Sequence, residues 1–175
     1  MLNPREREMA GDILRHLARD VEMSIRIKLA ERLADDPKAP HELILMLADD
    51  RIEIARPILA RSPVLSDGDF LRVIRNGTAD HHLVIAERPY IGETVSAALA
   101  RSECEAVILA LLRNKTAKIN TETFSQLSER ARAAEAIQNL LIAHPALPPA
   151  VAGKMYVWVS AALKTALAHR YPSVI

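Results

Sequence analysis

The sequence predicts an all-α fold: an α-solenoid of about five short two-helix repeats with a capping helix at each end. Three observations carry this. First, Pro37, Pro63 and Pro89 stand 26 residues apart, and Lys115 takes the same place one period later. Second, apolar residues keep phase with these anchors. Leu33, Leu59, Ile85 and Leu111 lie four residues before them, and Ala39, Leu65, Ile91 and Ala117 two residues after. A fifth copy, at a slightly longer offset, holds Leu141, Pro145 and Leu147. Third, half the residues are apolar, only 3% are aromatic and five are glycine, a balance that favours helix over sheet.

Each element follows from local signals. Asn3 and Pro4 suit the start of a first helix, with Met9, Ile13, Leu14 and Leu17 as its apolar stripe. A second helix is expected over 21–34, with Ile25, Leu29 and Leu33 on one face and Arg26, Lys28 and Arg32 on the solvated one. Asp36 precedes proline and leaves the helical region, so that helix stops there. Pro40 opens a short helix to about Asp49, and Asp49-Asp50 supply negative charge at the start of the next.

The pattern then repeats. Helix is expected over 52–61, with a late start near Ala55 or a kink, because Pro57 in a helix interior costs about 3 kcal/mol. Ser66-Asp67 caps a helix that Asn76-Gly77 ends in the left-handed manner. Further helices are expected over 81–88, 95–100, 103–113 and from Asn120 or Thr121 to about 132. The last two run over 135–144 and, opened by Pro148-Pro149, over 148–170 as one long helix. The chain reads as one domain, 1–175, with a capping helix in 1–20, repeats over 21–147 and the long helix closing the stack. Helices of about ten residues are marginal alone and draw stability from their neighbours.

A period of 26 is too short for tetratricopeptide or HEAT units, at about 34 and about 40–47 residues. The run IRIKLAERLADDPKAPHELILMLADD resembles a leucine-rich-repeat-variant unit. That resemblance implies an α-helix paired with a shorter helix around a proline turn, stacked as a right-handed superhelix. Over a longer span the chain resembles an alphaproteobacterial domain of unknown function, number 2336. The phrases that carry it are LAERLADDPKAPHELILMLADDRIEIARPILARSPVLSD (29–67), HHLVIAERPYIGETVSAAL (81–99), ILALLRNKTAKI (108–119) and HPALPPAVAGKMYVWVSAAL (144–163). This second resemblance implies no activity, since that family has none established.

Charge and motif content narrow the function classes. Net charge is +1, against the basic excess usual for bulk-charge binding to nucleic acid. Eleven Arg and Lys residues recur on exposed faces, among them Arg56, Arg88 and Arg113, and could align as a ridge for nucleic acid. Interspersed Glu31, Glu53, Asp69, Glu87 and Glu105 read instead as a mixed solvated face. The lone Cys104 excludes an intramolecular disulfide and reads as a small core residue. No apolar stretch approaches the length that crosses a membrane, and the N-terminus lacks a signal-peptide run, so a cytoplasmic protein without membrane contact is expected.

Candidate reactive groups are few. His81-His82 are adjacent and point about 100° apart on a helix, unsuited to chelating one metal. They read as a helix start with one packed and one solvated imidazole, or as a phosphoacceptor in a signalling domain. Asp35-Asp36 and Asp49-Asp50 read as turn and cap residues rather than as a cation site. No phosphate-binding, dinucleotide, zinc-protease or nucleophile-elbow motif is present, so no cofactor, metal or catalysis is expected. The run 155–167 is apolar nearly all round and holds Tyr156 and Trp158, two of six aromatic residues. It reads as the closing cap of the stack or as a surface for self-association or a partner. A non-catalytic protein-interaction or scaffolding module is therefore expected, with Tyr156, Trp158, His81, His82, Arg56 and Arg88 as candidate contacts.

Overall fold

The computed structural model describes residues 21–173, and among them every regular element is helical. The helix expected within 1–20 lies outside the described residues. The chain divides into two compact units, one ending at Leu65 and the other running Ser66–Ile175.

In the first unit, α1 spans 21–33, α2 His41–Ala48 and α3 Ile52–Arg61, and α2 packs on α3. The face that α1 buries is not the expected one. Ile25 is 60% exposed, while Ala30 and Ala34 are fully enclosed. Small residues there let backbones approach closely, and Arg26 turns inward to pair with Asp50. Asp50 also accepts from the Arg51 N–H at 2.8 Å, so Arg51 takes the N-cap place of α3 with no side-chain cap of its own. Helix α3 begins at Ile52 rather than late, carrying Pro57 within it. Arg61 closes the unit by sharing its Nε–H between both Asp35 carboxylate oxygens at 3.1 Å, 26 residues away.

The second unit holds α4 Asp67–Asn76, α5 Ala79–Glu87, α6 Glu93–Leu99, α7 Glu105–Arg113, α8 Thr121–Ala131, α9 Glu135–Ala143, α10 Pro149–Tyr156 and α11 Ala161–Arg170. Consecutive helices pair as α4/α5, α6/α7, α8/α9 and α10/α11. The second members of these pairs form a row, α5 on α7, α7 on α9 and α9 on α11; α4 meets α6 and α8 meets α10 on the other side. The phased apolar positions are core except Leu33, which is half-buried. Leu59, Ile85, Leu111 and Leu141 are fully buried, and Ala39, Leu65, Ile91, Ala117 and Leu147 are at most 8% exposed.

Two caps match the sequence reading. Ser66 accepts from the Asp69 N–H while Asp69 accepts from the Ser66 N–H at 2.8 Å, a reciprocal box. Asn120 accepts from the Thr123 N–H at 2.9 Å.

Four expectations are corrected here. The long helix over 148–170 is two helices, broken at 157–160 with Ser160 at the N-cap of the second. β-branched Val157 and Val159 flank Trp158, and all three lose side-chain freedom in a helix. The break lets α10 pack on α8 while α11 packs on α9, which one straight rod could not do. Gly77 does not adopt the left-handed conformation; its φ is −84°. What it supplies is space, since a Cβ there would sit 2.7 Å from the Val73 carbonyl and 3.1 Å from His81 Cβ. Cys104 is a half-buried N-cap of α7, not a core residue, and α7 begins at Glu105. The helix of His81 starts earlier than expected, at Ala79.

The residue before each anchor has a recurrent task. Asp36, Ser62, Asn114 and His144 each accept, through the side chain, the N–H two residues on, from Lys38, Val64, Thr116 and Ala146 at 2.9–3.3 Å. Arg88 holds the same place, but a guanidinium carries no acceptor atom. Its follower Tyr90 donates instead to Thr116 Oγ1 at 3.0 Å, with φ at +59°. Among the described residues it is the one non-glycine with positive φ.

A candidate partner-binding cleft on the row of second helices

The sequence singles out six residues, and those of the second unit do not form one site. Arg56 is exposed on α3 in the first unit; the other five belong to the second. His81 is 6% exposed, and its Nδ1 accepts from the Thr78 N–H at 3.2 Å and lies in hydrogen-bond contact with Thr78 Oγ1 at 2.8 Å. It is the packed imidazole that was expected. His82 is half-buried rather than solvated, with Nε2 enclosed and without a partner. Burial lowers its pKa, opposed by a hydrogen bond with the Ile74 backbone and reinforced by His81. The pair thus builds the α4–α5 corner over Gly77.

Arg88 is half-buried with its guanidinium 5.0 Å above the Phe70 ring, and burial lowers its pKa. Tyr156 and Trp158 are both half-buried. Lys164 covers the Tyr156 ring at 5.6 Å and Arg132 the Trp158 ring at 5.4 Å. Val157, between them, is 77% exposed. These aromatics fasten the α8–α10–α11 corner by cation–π contact.

A cleft of about 540 Å³ opens instead between α5 and α7. Leu83, Ala106, Leu109 and Ala110 give it an apolar lining, and Glu87, Arg113 and Lys115, at the ends of α5 and α7, its charged rim. Asn114 ties the two helices at the rim, donating from Nδ2 to the Ala86 carbonyl at 2.8 Å and the Arg88 carbonyl at 2.7 Å. Those are carbonyls at the end of α5, which no further helical turn satisfies.

A second groove, about 960 Å³, lies between α9 and α11. Its lining repeats the first, two copies further along the chain. Leu83 answers to Asn139, Glu87 to Ala143, Ala110 to Ala166 and Arg113 to His169. The tie repeats as well. Arg170 stands where Asn114 does two copies earlier, and donates to the Ile142 and Pro145 carbonyls, both at 2.8 Å. At the intervening step His144 holds the same place, and Lys115 Nζ donates to the Leu112 carbonyl at 3.0 Å. His144 is 1% exposed, edge-on to Phe124 at 5.1 Å, with Nε2 unpartnered. Burial, with Lys115 and Arg170 nearby, lowers its pKa to about 4, so the ring is neutral at pH 7. Burial and then Arg170 lower Lys115.

Sequence reasoning did not assemble the cleft. Leu83 and Leu109 carry no chemical signature, and their standing one period apart was the available signal. Among the described residues, no three His, Cys, Asp or Glu side chains group so as to hold a metal, and no helix is long and apolar enough to cross a membrane.

Among known proteins, the model of a family described as "uncharacterised protein conserved in bacteria" (DUF2336) matches residues 54–174. No curated protein and no solved structure matches the chain.

Proposed function

The chain belongs to the bacterial family DUF2336, and on that footing we propose that it is a non-catalytic, cytoplasmic protein-interaction module whose α5–α7 cleft holds a segment of a partner protein. We read Ser66–Ile175 as a run of stacked two-helix repeats, a solenoid, on the strength of the α5–α7–α9–α11 row and the repeated carbonyl ties. Repeat stacks offer one surface position per copy, and variation at that position gives specificity.

The observation that carries the reading is the cleft itself. It joins an apolar lining to a few charged groups at one end, the composition of a site that fixes a side chain and its orientation. Of the residues that suggested other surfaces, Arg88 is engaged on Phe70, and Trp158 and Tyr156 lie under Arg132 and Lys164.

The test is selection of a random 16-residue peptide library on the purified chain, followed by titration calorimetry. Enriched peptides are expected to bind and to lose at least tenfold in affinity against Leu109→Glu, with helix content unchanged by circular dichroism. Absence of enrichment, or equal affinity for the variant, overturns the proposal.

A further inference from the structure

We infer that the α5–α7 cleft and the α9–α11 groove are two subsites for one extended partner segment, an acidic residue seated at the first and an apolar residue at the second. This inference rests on the partner-binding reading above and adds the chemistry and spacing of what is bound.

Geometry gives the first reason. The two grooves are not unrelated hollows: they use the same positions of the row, two copies apart, and the same tie to the carbonyls of the preceding helix. Helix α9 lies two steps along the row from α5, through α7. Packed helices stand about 8–10 Å apart, so equivalent points of the grooves lie about 16–20 Å apart. An extended chain advances about 3.3 Å per residue and spans that with about five or six residues.

Charge gives the second. The first cleft carries Arg113 and Lys115 against the single acid Glu87, leaving its rim net positive; Lys115 gives one of its three N–H donors to the Leu112 carbonyl and keeps two. At the positions equivalent to these the chain has His169, Tyr171 and Ala143, of which His169 and Ala143 line the second groove. Its remaining cation, Arg170, is spent on two carbonyls and the Tyr171 ring. The other lining residues are mostly apolar, Ile142, Ala162 and Leu163 among them, with Asn139 and Thr165. A carboxylate gains from the first rim, and an aliphatic side chain from the second lining; exchanging them strands a charge on an apolar surface.

The probes are the peptides enriched from the random 16-residue library, titrated against wild type, Arg113→Glu, Leu163→Glu and the double variant. Enriched peptides are expected to hold an acidic and an aliphatic residue about five or six positions apart. Each single variant is expected to weaken binding at least tenfold. Changing the peptide's acid to its amide is expected to weaken binding to wild type but not to Arg113→Glu. Circular dichroism and urea midpoints check that the variants fold, and Arg113→Gln and Leu163→Gln replace any that do not. If Leu163→Glu leaves affinity unchanged while Leu109→Glu abolishes it, the two-subsite inference falls and the single-cleft reading stands. If no variant matters, or no peptide is enriched, both fall.

Discussion

His144 should make this protein lose stability in mild acid, and the size of the effect can be worked from its surroundings. The ring is 1% exposed, its Nδ1 accepts the Ala146 N–H at 3.2 Å, and Lys115 and Arg170 stand close by. Burial and these two cations hold its pKa at about 4, against 6.5 for a free imidazole. The folded value lies below the unfolded one, so between pH 6.5 and 4 the unfolded chain binds the extra proton. Stability is therefore complete above pH 6.5 and falls as pH drops through that window, by about 3 kcal/mol in full and about 2 kcal/mol between pH 7 and 5. The control is His144→Asn, since Asn114 makes the same turn contact at the equivalent position, to Thr116 at 3.2 Å. Asparagine does not titrate, and the smaller side chain lowers stability equally at both pH values. Urea unfolding followed by circular dichroism at pH 7 and 5 gives the comparison; His82, also lowered, is common to both proteins and cancels. Wild type should lose about 2 kcal/mol more than the variant, the full linkage effect of this one group. Equal losses in the two proteins would refute the assignment of a neutral, enclosed His144.

Two further substitutions probe the backbone. Gly77→Ala should destabilise by about 1–3 kcal/mol in urea unfolding although φ is an ordinary −84°, because the added Cβ meets the Val73 carbonyl at 2.7 Å; a neutral result would show that the α4–α5 corner yields freely. Tyr90→Gly should raise the thermal midpoint, by about 1 kcal/mol in stability, since the side chain is 81% exposed and φ is +59°; a lowered midpoint would mean that the tyrosine ring contributes more than its backbone costs.

Most of the core and most of the turns can be placed from the sequence alone. Aliphatic residues at a fixed distance before and after each anchor are core residues in every copy of the second unit, because a stacked helix must present the same face to each neighbour. Prolines and caps are local chemistry, so Ser66, Asn120 and the stop after Arg61 could be read without the fold. Tertiary structure decided what depends on neighbours. Residues 148–170 had the apolarity of one helix, but α10 and α11 must pack on different partners, and that broke it. Ile25 has the spacing of a core residue and is exposed, because Ala30 and Ala34 are what fit. Gly77 was legible as a helix stop, but its reason is the Val73 carbonyl and the His81 side chain beside it. The cleft was the least legible feature. It is the space left between side chains of two copies, and no single stretch of sequence contains it.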